Sequence, residues 1–354
     1  MHLNRASTLL SLIPSVLGAY NVKPFKIDLS SKVPHMKDPI QRTKLPAYSV
    51  LGDAGAGIPL DWLKARQKGW LNSFDWNQEQ AAMKKFNHST VDIGNITVHF
   101  IHQRSSDPKA IPLLLTHGWP GSFYEFHNVI KPLSNTGKDS NISFHIVVPS
   151  LPGHGFSSPA PIGIRHIHSL RRRLGCWSHL GPSKQPWRYY SSGLVQRDAA
   201  TIRPLNRRLD SNSVFATSGN GYLVEQSTRP ATIGLALYDN PVGQLAWIGE
   251  KFLEWSDPQF GVPPSTITNN TILTEVSLYY LTGTFETSVN TYFRNPAGWS
   301  PTMLHAVNNV PMGYAAYYYD LDYYPEFYVS KIGNLVYYAG KPVSLVIHPI
   351  LTDD

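Results

Sequence analysis

Leu113-Leu114-Leu115-Thr116 is a short apolar run without charge, and it breaks abruptly into His117-Gly118-Trp119-Pro120-Gly121-Ser122. Such a run predicts a strand buried on both faces that delivers a loop to the carboxyl edge of a parallel sheet. The pattern returns in Phe144-His145-Ile146-Val147-Val148-Pro149, which feeds Ser150-Leu151-Pro152-Gly153-His154-Gly155-Phe156-Ser157-Ser158. Between the two, Phe123, Phe126, Ile130 and Leu133 keep the spacing of a helix packed along one face. Strand, loop, helix, strand, loop is a βαβ unit, and functional groups of such sheets gather at the strand carboxyl ends.

The periodicity before and after this unit predicts further elements. Residues 61–71 and 79–86 read as helices inside a polar, aromatic-rich leader, and 93–101 alternates like a strand. Past Ser158 the pattern is lost. Residues 159–213 hold Arg171-Arg172-Arg173, scattered His and Pro, and no sustained period. From Val214 regular patterning resumes, with Leu245-Ala246-Trp247-Ile248-Gly249-Glu250-Lys251-Phe252 amphipathic at helical spacing and 274–294 helical and aromatic-rich. Residues 314–319 and 334–338 read as two last strands before the chain stops at Asp354.

Composition changes the picture in three places. The formal charge of +7 suggests a polyanion partner, but residues 161–213 hold nine Arg and one Lys against Asp198 and Asp210. The remainder of the chain is close to neutral, so nucleic acid is not indicated. The single cysteine, Cys176, excludes an internal disulfide framework. Residues 1–19 combine a short basic start with a brief apolar stretch ending in Gly18-Ala19, which reads as a cleavable signal peptide, with a membrane anchor as the alternative. Sequons at Asn87, Asn95, Asn141 and Asn269 agree with the secretory route, so the expected location is secreted or at the endoplasmic reticulum membrane.

The loop at His117 carries candidate chemistry. Gly118 lets backbone approach a ligand, Pro120 sets the chain direction, and the Trp119 N–H can face a developing oxyanion. A tight turn that merely contains a histidine is the plainer alternative. No Gly-x-Ser-x-Gly elbow, metal-ligand spacing or nucleotide loop occurs.

The segment His117 to Phe126, the loop Ser150 to Ser157, and Trp70-Leu71-Asn72-Ser73-Phe74-Asp75-Trp76 together resemble the microsomal-type epoxide hydrolases of the α/β-hydrolase superfamily. The resemblance implies an α/β fold with a mostly parallel sheet, an N-terminal domain bracing it, and a helical cap. It divides the chain into 20–130 (N-terminal domain running into the first core strand), 131–158 (core), 159–213 (an aberrant Arg-rich segment), 214–300 (cap) and 301–354 (a truncated C-terminal core). It also implies cofactor-free conversion of a small apolar epoxide to a vicinal diol. An aspartate forms an ester with the substrate, two cap tyrosines assist the departing oxygen, and a histidine oriented by an acid activates water.

Residue by residue, the resemblance points to Tyr222 and Tyr292 as the tyrosines and to His117, Gly118, Trp119 and Pro120 as the oxyanion loop. Asp320, or Asp322 instead, stands where the orienting acid belongs. The family's Gly-Gly-Asp-x-Gly elbow is absent, leaving Asp198 as the nearest carboxylate. Its Gly-Gly-His-Phe is replaced by a stretch whose histidine is His348. Three readings stay open: a hydrolase, a non-catalytic relative that binds an apolar ligand, or a chain in which 160–213 and 340–354 are translated from another frame or a retained intron. Two tyrosines serving one oxygen must meet at one point above the 117–120 loop, although seventy positions separate them.

Overall fold

The computed structural model describes residues 20–52, 55–135, 142–161, 188–191, 218–256, 266–294, 309–316 and 326–340. Residues 1–19, Cys176 and the last fourteen residues therefore lie outside the described residues.

The strands are β1 (Val22–Pro24), β2 (His88–Ile93), β3 (Ile96–Gln103), β4 (Ile111–Thr116), β5 (Phe144–Pro149) and β6 (Arg188–Ser191), in a sheet of order β1-β2-β3-β5-β4-β6. The first three strands and β5 pair antiparallel, whereas β5-β4-β6 are parallel. The uncharged runs at 113–116 and 144–149 thus become the central parallel pair, as strands buried on both faces should. A separate parallel pair, β7 (Met312–Ala316) and β8 (Leu335–Gly340), follows near the end.

Three elements differ from the periodicity. The alternation over 93–101 is not one strand: Gly94 and Asn95 form a turn joining β2 to β3, with Ile93 opposite Ile96. An apolar residue on each side of the turn hides the break from a period-2 count. The helical stretch 274–294 is also broken, because Gly283 adopts φ 68° and ends α8 (Asn269–Thr282). Finally, Arg188–Ser191 is a strand inside the Arg-rich segment. Backbone pairing with Leu113–Thr116 supplies what composition gave no sign of.

Helices α1 (Val33–Arg42), α2 (Leu60–Asn72) and α3 (Trp76–Met83) come from the leader, and α4 (His127–Ser134) follows the 3-10 turn Phe123–Phe126. After the undescribed stretch come α5 (Gly221–Thr228), α6 (Pro230–Ala236), α7 (Pro241–Glu254), α8, α9 (Phe285–Ser288) and α10 (Glu326–Val329). Local chemistry marks the starts: Asn240 accepts from Gly243 N–H ahead of α7, and Thr268 and Thr271 form a capping box for α8.

The leader helices pack on α7 and α8. Trp70 donates through Nε1 to Ser277 Oγ at 3.0 Å, Lys32 Nζ to Leu281 O at 2.9 Å, and Asn270 Nδ2 to Glu79 Oε1 at 2.7 Å. One large core holds Trp70, Trp76, Phe123 and Phe285, all fully buried, and runs from the sheet into α7 and α8. A smaller cluster of Val91, Ile93, Ile96, Val98, Phe100 and Val147 covers the opposite sheet face. Among the described residues no helix is long and apolar enough to cross a membrane.

Candidate active site

Two loops meet beyond the carboxyl ends of β4 and β5. In the first, Gly121 N–H donates to Gly118 O at 2.7 Å across the cis Trp119–Pro120 bond. A Cβ at position 121 would lie 1.8 Å from Glu125 Oε2 and 3.2 Å from Gly118 O, so the Glu125 carboxyl group occupies the space a side chain there would take. In the second, Gly153 adopts φ +81°, and a Cβ there would stand 3.1 Å from the Thr287 carbonyl. Thr287 Oγ1 donates to Gly153 O at 2.7 Å, so α9 docks directly onto this loop.

His117 ties the loops together. Its Nε2 accepts the Leu151 N–H at 3.0 Å, which leaves Nδ1 as the donor toward Gly118 O at 3.3 Å. Burial pushes its pKa down to about 4, so the ring is neutral at working pH. His117 therefore acts as a brace in this geometry. A second chain of neutral rings anchors the other loop: His88 bonds Met83 O at 2.8 Å and His99 at 3.0 Å, and His99 Nδ1 meets Ser150 Oγ at 2.8 Å. Burial lowers the pKa of both histidines.

Trp119 turns toward the helices, and no described group accepts its backbone N–H. The Tyr222 ring, from the first turn of α5, stacks on Trp119 with centroids 5.3 Å apart and planes at 14°. Tyr292, just past the 3-10 turn Val289–Thr291, stands edge-on to Trp119 at 6.2 Å and to Tyr222 at 5.8 Å. Their hydroxyls share a hydrogen bond. Burial pushes the Tyr222 phenol up to about 12, against a smaller downward pull from Tyr292. Burial, then the neighbouring Tyr222, hold Tyr292 well above the usual phenol range. Both are thus fixed as neutral proton donors. The structure brings these two residues and the 117–120 loop together; Asp198, Asp320, Asp322 and His348 lie outside the described residues.

Sequence reasoning passed over two groups beside them. Lys251, almost fully buried, sets its ammonium 4.8 Å over the Tyr222 ring, with Trp247 at 5.7 Å and Trp255 at 5.9 Å. It pairs with Glu250 at 2.8 Å. The signal was available, because Trp247, Lys251 and Trp255 follow one another at four-residue steps along one helix face. Behind the loop, Ser122 Oγ donates to Glu275 Oε1 at 3.1 Å and Tyr279 donates its hydroxyl to Gly121 O at 2.8 Å. Here the signal is a lone carboxylate among Ile272, Leu273, Val276 and Leu278. No group of three His, Cys, Asp or Glu side chains among the described residues is placed to hold a metal ion.

Parallel strands presenting two loops at one edge, roofed by helices that carry paired phenols, define an α/β-hydrolase. Sequence comparison agrees: residues 22–126 match the epoxide hydrolase N terminus and residues 111–171 the alpha/beta hydrolase fold. The chain is 30% identical to epoxide hydrolase 1 of Sus scrofa, over 92% of this chain and 85% of that one. It is 31% identical to a Stigmatella aurantiaca protein assigned as an epoxide hydrolase, over 91% and 79% of the two chains. Among solved structures, juvenile hormone epoxide hydrolase from the silkworm Bombyx mori superimposes with a TM-score of 0.75 at 25% identity, covering 92% of this chain and 89% of that one. The Aspergillus niger epoxide hydrolase gives 0.72 at 27% identity, covering 90% of each. The chain belongs to the epoxide hydrolase family.

Proposed function

We propose that Trp119, Tyr222 and Tyr292 form the subsite for the ring oxygen of a small apolar epoxide, and that the family reaction of this site is addition of water to give a vicinal diol. The observation that supports this reading is the meeting of two buried phenols, distant in sequence, on one tryptophan of the oxyanion loop.

In the reaction, a carboxylate attacks a ring carbon and the carbon–oxygen bond breaks. The electron pair left on oxygen takes a phenolic proton, which avoids a free alkoxide. Water then cleaves the ester: its oxygen adds to the acyl carbon, and the diol leaves carrying one of the water protons. The other proton returns to the phenolate, so carboxylate and phenol are both restored. The Trp119 N–H is available to the oxyanion of that second step. The attacking, activating and orienting roles would fall to Asp198, His348 and Asp320. Asp198 lacks the glycines of a strained nucleophile elbow. Electrophilic assistance alone contributes roughly 10²–10⁴-fold. We therefore expect the chain as written to bind the epoxide and turn over a styrene-oxide-type substrate at background rate. A relative that binds an apolar ligand without chemistry is the second reading, favoured by the same missing elbow.

The test is calorimetric binding of a non-hydrolysable amide mimic of the epoxide. Tyr222→Phe and Tyr292→Phe should each weaken it about tenfold, or roughly 1.4 kcal/mol. Binding indifferent to both substitutions would remove the subsite. Turnover above background that Asp198→Asn abolishes would instead assign Asp198 as the nucleophile.

A further inference from the structure

Residues 275 and 279 lie one turn apart on α8 and share a face of that helix. Both are buried, and each bonds a residue of the oxyanion loop. The Ser122 hydroxyl that donates to Glu275 Oε1 also accepts the Tyr124 N–H at 3.0 Å, so it starts the 3-10 turn leaving the loop. Tyr279 holds the carbonyl of Gly121, the residue whose N–H closes the loop. We propose that Glu275 and Tyr279 are positioning residues for the oxyanion loop, clamping Ser122 and Gly121 from behind so that Trp119 meets the two phenols. This rests on the reading of those phenols as the epoxide-oxygen subsite.

The choice of a carboxylate matters. A glutamine could accept the Ser122 proton equally well in shape, without the cost of burying a potential charge. Glu275 borders a cavity of about 130 Å³ whose walls include Glu125, Tyr124, His127, Glu79 and Phe252. Its neighbours are thus Glu125 and Tyr124 from the 3-10 turn, Tyr279 from its own helix, and, across the cavity, Glu79 of α3 and His127 of α4. From α7 the wall is the apolar Phe252. Burial raises the Glu275 carboxyl to about 7. Glu125, packed against Gly121, is raised further by burial and by the Glu275 charge. As pH rises through neutrality, Glu275 ionises, and its bond from Ser122 becomes charge-assisted and stronger. The grip on the loop tightens.

The experiment uses the full chain labelled with 5-fluorotryptophan, the Trp119 resonance being assigned from the Trp119→Phe spectrum. Between pH 5.5 and 8.5 the Trp119 resonance should move with a midpoint near 7, and Glu275→Gln should hold it still. Tyr279→Phe should displace it at every pH and weaken binding of the amide mimic about fivefold, the scale of one lost hydrogen bond. Because Tyr279→Phe removes a single hydroxyl, it stands as an independent arm should Glu275→Gln fail to fold. A Trp119 titration that persists in Glu275→Gln would overturn the proposal. So would a Tyr279→Phe spectrum and affinity equal to those of the unsubstituted chain. If the unsubstituted chain fails to bind the mimic, the subsite reading falls alone, and the fluorine spectra still decide the clamp.

Discussion

The two faces of the 117–122 loop are buried alike and built differently. In front stand Trp119, Tyr222 and Tyr292, an aromatic group in which the two phenols interact with each other and both rings pack on Trp119. Behind stand Glu275, Glu125 and Tyr279, where carboxyl groups share the interior with a phenol. Burial pushes every one of these pKa values upward, but the outcome is opposite. A phenol is already neutral near pH 7, so burial only secures its proton. A carboxyl is charged near pH 7, so burial brings its titration into the working range. The front face therefore offers constant proton donors, and the back face holds a group whose charge changes with pH.

The largest expected effect breaks the front face outright. Trp119→Ala removes the ring that both tyrosines contact and should cost about 3–5 kcal/mol in urea unfolding, as emptying a packed aromatic site does. A loss under about 1 kcal/mol would mean that the tyrosines pack without it.

The next prediction compares charge on the two sides of the loop. Glu275 has a folded pKa near 7, above the ordinary 4.5. Its stabilising contribution is full below pH 4.5 and lost as pH rises through about 7, at most roughly 3 kcal/mol. His117 has a folded pKa near 4, below the ordinary 6.5. Its contribution is full above pH 6.5 and is lost as pH falls through about 4, on a similar scale. Stability measured from pH 4.5 to 7.5 should thus rise more steeply in Glu275→Gln than in the unsubstituted chain. Parallel curves would show that the carboxyl is not held as described.

The smallest effect sharpens the front face. Removing the Tyr292 hydroxyl takes away the one contact that lowers the Tyr222 phenol, so Tyr292→Phe should shift its ionisation upward. Tyr222→Phe should instead lower the ionisation of Tyr292, which Tyr222 raises. Absorbance at alkaline pH reads both, and each substitution should cost about 1 kcal/mol. Shifts in the same direction would contradict the shared hydrogen bond.

Much of this protein was determined by local sequence. The uncharged runs at 113–116 and 144–149 could only be buried strands, and the glycine- and proline-rich loops after them could only lie at a sheet edge. Helices α2 and α7 followed from the spacing of their apolar residues. Local reading failed where two elements share one pattern, as at Gly94 between Ile93 and Ile96, because a period-2 count cannot see a two-residue turn. It also failed at Arg188–Ser191, whose strand depends on pairing with β4. The site divides the same way. His117 to Pro120 was legible as a loop, and family likeness singled out Tyr222 and Tyr292. Only the tertiary structure put those phenols on Trp119, Lys251 over Tyr222, and Glu275 behind Ser122, 153 positions away. Periodicity records which face of an element is buried; which distant group waits on the other side is decided when α5, α7, α8 and α9 pack over the loop.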